Sequence, residues 1–265
     1  MKTIYLSAAM LCGMAAASAV AADLRPIAPP VVADFSWTGF YAGGNAGVAW
    51  GTANVSQTLF APAPFVPGDA AAVSSAASPL LHSNTAAVGV QAGYNHQWGN
   101  LVFGGEVDFD YLHLQAPKSA ISVFPSTLPG GVVGPPVQTF STTTSVSTNW
   151  LFTARPRLGW SVGTWLFYAT GGLALARENF NQSVALVAPF METTSLTANR
   201  VGWTAGAGVE YAINRNWSLK AEYLHVDLGT ASTAATLTPP FPGLGMTGSF
   251  RLTTEIARGG VNYHF

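Results

Sequence analysis

Phe40-Tyr41-Ala42-Gly43-Gly44-Asn45-Ala46-Gly47-Val48-Ala49-Trp50 is the stretch whose reading decides the fold. Larger apolar residues alternate with small or polar ones at a period of two, the mark of a strand with two unlike faces. Phe40, Ala42, Gly44, Ala46, Val48 and Trp50 share one face; Tyr41, Gly43, Asn45 and Gly47 share the other. A strand of this length rises roughly 33 Å from Phe40 to Trp50, or ~25 Å once tilted. That is the height of a hydrocarbon band, and aromatic rings suit its two interfaces. The apolar face is therefore read as facing lipid.

Seven further segments carry the same alternation. Strands are expected near 37–51, 84–98, 101–114, 148–161, 164–177, 199–213, 216–229 and 251–265. Gly99-Asn100, Val162-Gly163 and Asn214-Arg215 supply tight turns, with the Gly or Asn that a positive φ favours. Long segments near 52–83, 115–147, 178–198 and 230–250 separate the remaining strands. Short and long connections alternate strictly. This order predicts an all-β fold: an eight-stranded antiparallel transmembrane β-barrel with short periplasmic turns, four long extracellular loops and both termini at the periplasmic rim.

Composition narrows the class from another side. Charged residues make up 9% of the chain, with a net charge of −1, against roughly 25% in an average soluble domain. No basic patch is available for nucleic acid. The uncharged run from Ser119 to Ala154 is broken by Pro125, Pro129, Pro135 and Pro136, so it does not read as a spanning helix. A closed sheet is the other structure that satisfies every backbone group in lipid. Residues 1–22 read as a cleaved signal peptide, with Lys2, an apolar stretch from Ile4 to Val20, and small residues at Ala21-Ala22. Cys12, the single cysteine, falls inside it, and Leu11 before it argues against a lipoprotein box. Residues 23–36, with Pro26, Pro29 and Pro30, read as an extended periplasmic linker, and 37–265 as the barrel. The expected location is the cell outer membrane.

Charge of both signs falls on the face expected to point inward: Glu106, Asp108, Asp110, Arg155, Arg157, Glu210, Lys220, Glu222 and Arg258. An eight-stranded barrel has room inside for side chains and little else. Unpaired charges there would cost several kcal/mol each, so a paired network and a plugged barrel are expected. Phe40, Trp50, Trp98, Trp160, Trp165 and Trp217 are expected in the aromatic girdle, with Phe109, Tyr111, Trp150, Trp203 and Tyr223 toward the long-loop side. Two places break the pattern. Pro156 lies inside a strand and removes a ladder donor, which predicts a bulge between the two arginines. Leu224, Val226 and Leu228 are out of phase with Leu219, Ala221 and Tyr223.

Three stretches carry a resemblance: Phe35-Ser36-Trp37-Thr38-Gly39-Phe40-Tyr41-Ala42-Gly43-Gly44-Asn45-Ala46-Gly47, Lys220-Ala221-Glu222-Tyr223-Leu224, and the ending Arg258-Gly259-Gly260-Val261-Asn262-Tyr263-His264-Phe265. The chain resembles the outer-membrane immunogenic protein family of Rhizobiales, porin-like barrels similar to the transmembrane domain of OmpA. The resemblance implies an abundant surface antigen that supports envelope integrity; some relatives are described as porins and some as haem binders. It also implies that Val261, Tyr263 and Phe265 form a signal for the barrel-assembly machinery.

Little else points to chemistry. His82, His113 and His225 lack ligand spacing, so neither metal nor cofactor is expected. There is no G-x-S-x-G and no nucleophile, base and acid constellation, so an enzyme is not expected. The loops are rich in Ala, Ser, Thr, Val and Pro, and are expected to form no core of their own. The functional expectation is a structural barrel that contacts outer-membrane lipid and lipopolysaccharide and displays loops to host or envelope components. The alternative is a small porin-like channel for ions or small solutes.

Overall fold

The computed structural model describes residues 35–60, 67–124, 139–185, 191–236 and 245–265. The expected signal peptide and residues 23–34 of the expected linker lie outside the described residues. Eight strands run β1 (Gly39–Phe60), β2 (Leu80–Trp98), β3 (Leu101–Val123), β4 (Thr139–Val162), β5 (Trp165–Ala185), β6 (Met191–Ala212), β7 (Trp217–Thr236) and β8 (Gly245–His264). Each pairs antiparallel with its sequence neighbours, and β1 pairs with β8 to close the barrel. Closure leaves no sheet edge in the middle of the wall.

Side-chain alternation sorts every strand into two faces. Phe40, Val48, Trp50, Val88, Phe103, Phe109, Leu158, Trp160, Phe167, Trp203 and Leu219 are exposed on the outside. The residues between them are buried in the lumen. At the short-turn rim Gly99 and Gly163 take φ of 61° and 58°, as two-residue hairpin turns require.

The strands outrun their expected ends at the long-loop rim. β4, expected from 148, begins at Thr139, and β3, expected to end at 114, continues to Val123. Segments expected to be loops also hold a helix, α1 (Pro67–Ala76). Proline sits at its first position, where the missing N–H costs nothing, and Asp69 lies in its first turn. The expectation that these segments form no core of their own is corrected. Val73 and Ala77 are fully buried and pack with Leu59, Phe124, Phe140, Val184 and Met246 into a cluster that caps the lumen.

Pro156 is a second correction. The antiparallel register passes from Ala154↔Leu173 to Arg157↔Thr170 without a shift, so no bulge lies there. The Pro156 carbonyl accepts a hydrogen bond from the Thr170 hydroxyl at 2.9 Å, a side-chain bridge to β5 at the point where the proline ring offers no donor. Irregularities fall instead at Tyr111–Leu114, Thr148–Leu151 and Asp227–Thr230, all near the aromatic residues of the long-loop side.

Candidate functional site

The lumen is layered. At the short-turn rim, Trp37 precedes β1 and turns inward, fully buried against Val102, Leu166, Tyr168 and Ala212, with Phe35 packed on it. Its indole N–H donates to Ser161 Oγ at 3.1 Å, and its backbone N–H donates to Gln97 Oε1 at 2.8 Å. Placing residue 37 at the start of a wall strand missed this plug, because a single aromatic ahead of a strand has no periodicity to read.

Above Trp37 the structure gathers all nine charged residues expected in the lumen, each nearly inaccessible. β3 presents Glu106, Asp108 and Asp110, and β4 presents Arg155 and Arg157, because alternate residues of a strand share a face. The Arg155 guanidinium lies 2.8 Å from Glu106, 2.7 Å from Asp108 and 3.2 Å from Glu222. Arg258 reaches across from β8 to Asp108 at 3.0 Å, Asp110 at 2.6 Å and Glu222 at 2.7 Å. Lys220 Nζ lies 2.6 Å from Glu106. Arg157 pairs with Glu210 at 2.9 Å, and its guanidinium carbon stands 3.9 Å from the centre of the Tyr168 ring. Charge-assisted bonds of this kind are stronger than neutral ones, and several are shared by one arginine.

Neutral donors complete the layer. Tyr41 donates to Glu106 at 2.9 Å, Thr153 to Asp108 at 2.6 Å, and Tyr168 to Glu222 at 3.1 Å. Ser218 and Asn262 donate to Glu210 at 2.5 and 2.7 Å, and His264 lies 3.5 Å from the same carboxylate. Alternation along β1 places Tyr41 on the inward face but assigns it no role. A tyrosine facing a lumen of carboxylates was the available signal. In this arrangement every carboxylate of the layer is ion-paired, and the pairs bind strand to strand.

Above the ions the lumen turns apolar. Leu112, Leu114, Leu151, Leu224, Val226, Leu228, Leu252 and Ile256 are buried there, with Phe180 and Phe250 stacked at 4.8 Å. Leu224, Val226 and Leu228 keep the inward phase of Lys220 and Glu222. Their apparent disorder on strand seven is this change of layer, not a change of phase.

On the outer surface Phe40, Trp98, Trp160, Trp165 and Trp217 are exposed near the short-turn rim, and Trp50 is exposed midway along β1. Phe40 packs against Tyr94, and Trp165 against Tyr211. Val261, Tyr263 and Phe265 project outward in a row from the end of β8, and the Phe265 N–H donates to Phe40 O at 3.0 Å. His225 contacts Glu255 on the outer face, His113 contacts Asn149, and His82 contacts Thr52.

Comparison with known proteins agrees with this architecture. Residues 6–265 match the family described as outer membrane protein beta-barrel domain. The 31 kDa outer-membrane immunogenic protein of Brucella melitensis is 37% identical over 237 residues, covering 86% of this chain and 88% of that protein. The 25 kDa outer-membrane immunogenic protein of Brucella abortus is 26% identical over 268 residues, covering 99% and 97%. Among solved structures, Neisserial surface protein A aligns at a TM-score of 0.35 with 15% identity, covering 86% of this chain and 98% of that one.

Proposed function

Because the chain belongs to the outer membrane protein β-barrel family and resides in the cell outer membrane, we propose that it is a sealed structural barrel which supports the envelope and displays its long-loop end at the surface. The observation that carries this reading is the filled lumen: Trp37 below, nine paired charges above it, then a continuous apolar layer and the α1 cap. A path for ions would have to break several buried ion pairs, each of which costs several kcal/mol to leave unpartnered. Catalysis has no foothold in this reading, since the carboxylates of the ionic layer are paired with Arg155, Arg157, Lys220 and Arg258.

The surface partners follow from the same chemistry. The exposed aromatic bands suit the interfaces of a bilayer that carries lipopolysaccharide. The outward row Val261, Tyr263 and Phe265 suits recognition of the last strand by the barrel-assembly machinery through edge pairing. The rim at the long-loop end is the part available to host or envelope components. Planar-bilayer recordings on refolded protein test the central point. The sealed barrel gives no steady current, and stable, uniform openings would favour the small porin-like channel instead.

A further inference from the structure

The upper wall parts in two places, and the chain treats them differently. β1 leaves β2 above Asn54↔Leu80. There α1 and the segment after it cover the freed edge: Ser74 Oγ accepts the Leu59 N–H at 2.8 Å, Ser78 Oγ the Gln57 N–H at 2.8 Å, and Pro79 O the Val55 N–H at 3.3 Å. β6 leaves β7 above Trp203↔Asp227, although β6 stays paired with β5 to Met191 and β7 with β8 to Thr236. The parting has a local cause. Gly229 takes a φ of 72°, its N–H donates to Asp227 Oδ1 at 2.9 Å, and the β7–β8 register slips between Asp227 and Thr230. A bulge of this kind bends its strand away from the neighbour. Among the described residues, the hydrogen bonds that cross this seam come from Arg200 Nη2, to Thr230 O at 2.5 Å and Leu228 O at 3.5 Å.

Behind Arg200 the seam faces the apolar layer, at Phe180, Phe250, Leu228 and Ala231, with half-buried Leu196 beside them. One group there is out of place. Glu178 points into the lumen from β5 between Ala176 and Phe180, with 1% of its surface exposed. Neither carboxylate oxygen has a hydrogen-bond partner, and Arg200 Nε stands 3.7 Å away, itself without one. A buried acceptor left bare costs ~1–3 kcal/mol, more for a charged group. Two bare acceptor oxygens in an apolar layer, beside a seam where the β6–β7 ladder has ended, set a polar anchor among apolar walls, the chemistry an amphiphile requires.

We propose that the β6–β7 seam is a lateral binding site for an amphiphile, its alkyl chain lying against Phe180 and Phe250 and its hydrogen-bond-donating head group, an amine or a hydroxyl, docking on Glu178. Arg200, bound to the Thr230 and Leu228 carbonyls of β7, is the strap over the site. Burial, opposed by Arg200, pushes the Glu178 carboxyl up to about 7, as expected of a carboxylate waiting for a donor. A carboxylate head group offers these oxygens no hydrogen and is not expected to dock.

The test is native mass spectrometry of the full barrel in nanodiscs with dodecylamine, 1-dodecanol or laurate. Wild type should carry amine and alcohol adducts and no laurate. Glu178→Leu, which removes the anchor, should lose them by about tenfold or more, the worth of a charge-assisted hydrogen bond. Asn199→Cys with Ser232→Cys, joined by a short bis-maleimide, closes the slot without touching Glu178 and should lose them equally. Heat-modifiable gel migration checks that each variant is folded. Adducts that survive both changes, laurate bound as well as the amine, or no adduct on wild type would overturn the proposal.

Discussion

The two halves of the lumen solve one problem in opposite ways. Near the short turns, the interior is held by Arg155, Arg157, Lys220 and Arg258 against five carboxylates. Toward the loops, the same strands hold it with leucine, valine and phenylalanine. The ionic half specifies geometry, because each guanidinium fits only one arrangement of partners. The apolar half supplies non-directional burial and tolerates a bare Glu178 and a parted wall. Each half also ends on a different buried element, Trp37 below and α1 above.

The sharpest way to break the comparison is to strand charge in the ionic half. Arg258→Ala leaves Asp110 without its cation and removes one of the cations on Asp108 and Glu222, which keep Arg155; it should cost about 3–5 kcal/mol, read as a lower urea midpoint of the barrel in vesicles. Phe250→Ala in the apolar half removes one ring of a stacked pair and should cost about 3 kcal/mol by the same assay. The cost there is a cavity, so Phe250→Leu should recover most of it, whereas Arg258→Leu should recover little.

A smaller effect is read with pH. The folded Glu178 carboxyl titrates at about 7, above its ordinary value. The folded chain therefore binds this proton more tightly than the unfolded one, and the stability it contributes is present at low pH and lost as pH rises through 7. Urea midpoints should fall between pH 5 and pH 8 in wild type, and less steeply in Glu178→Gln; equal slopes would contradict the assignment. Smallest is Ser161→Ala, which removes the acceptor of the Trp37 indole and should cost roughly 1 kcal/mol.

The barrel was legible because lipid imposes a strict code. Along Phe40–Trp50 and Phe103–Phe109 one face must be apolar, so period two is visible and the strand count follows. The ionic layer was legible for the same reason, since Glu106, Asp108 and Asp110 stand on the opposite face from Phe103, Val107 and Phe109. Beyond the aromatic bands neither face meets hydrocarbon, and the code lapses. Thr142 and Thr144 are buried in β4 with no more hydrophobicity than their exposed neighbours, so residues 139–147 read as loop. α1 hid for a related reason: its Ala and Ser residues bury a small face with almost no contrast against the other side. At Pro156 the missing donor was visible but not its remedy, because the substitute bond comes from Thr170, distant in sequence.

The most direct test of a lumen sealed between two apolar layers uses a single thiol. Thr153 is fully buried in the ionic layer, and Thr247 is exposed on β8 beyond the aromatic band. Thr153→Cys and Thr247→Cys barrels, folded in vesicles, would be treated with a charged methanethiosulfonate added to both sides. Modification at 247 within minutes, and at 153 only after unfolding, is the expected result. Rapid labelling at 153 in the folded barrel would show water and ions already passing through its centre, and would contradict the seal.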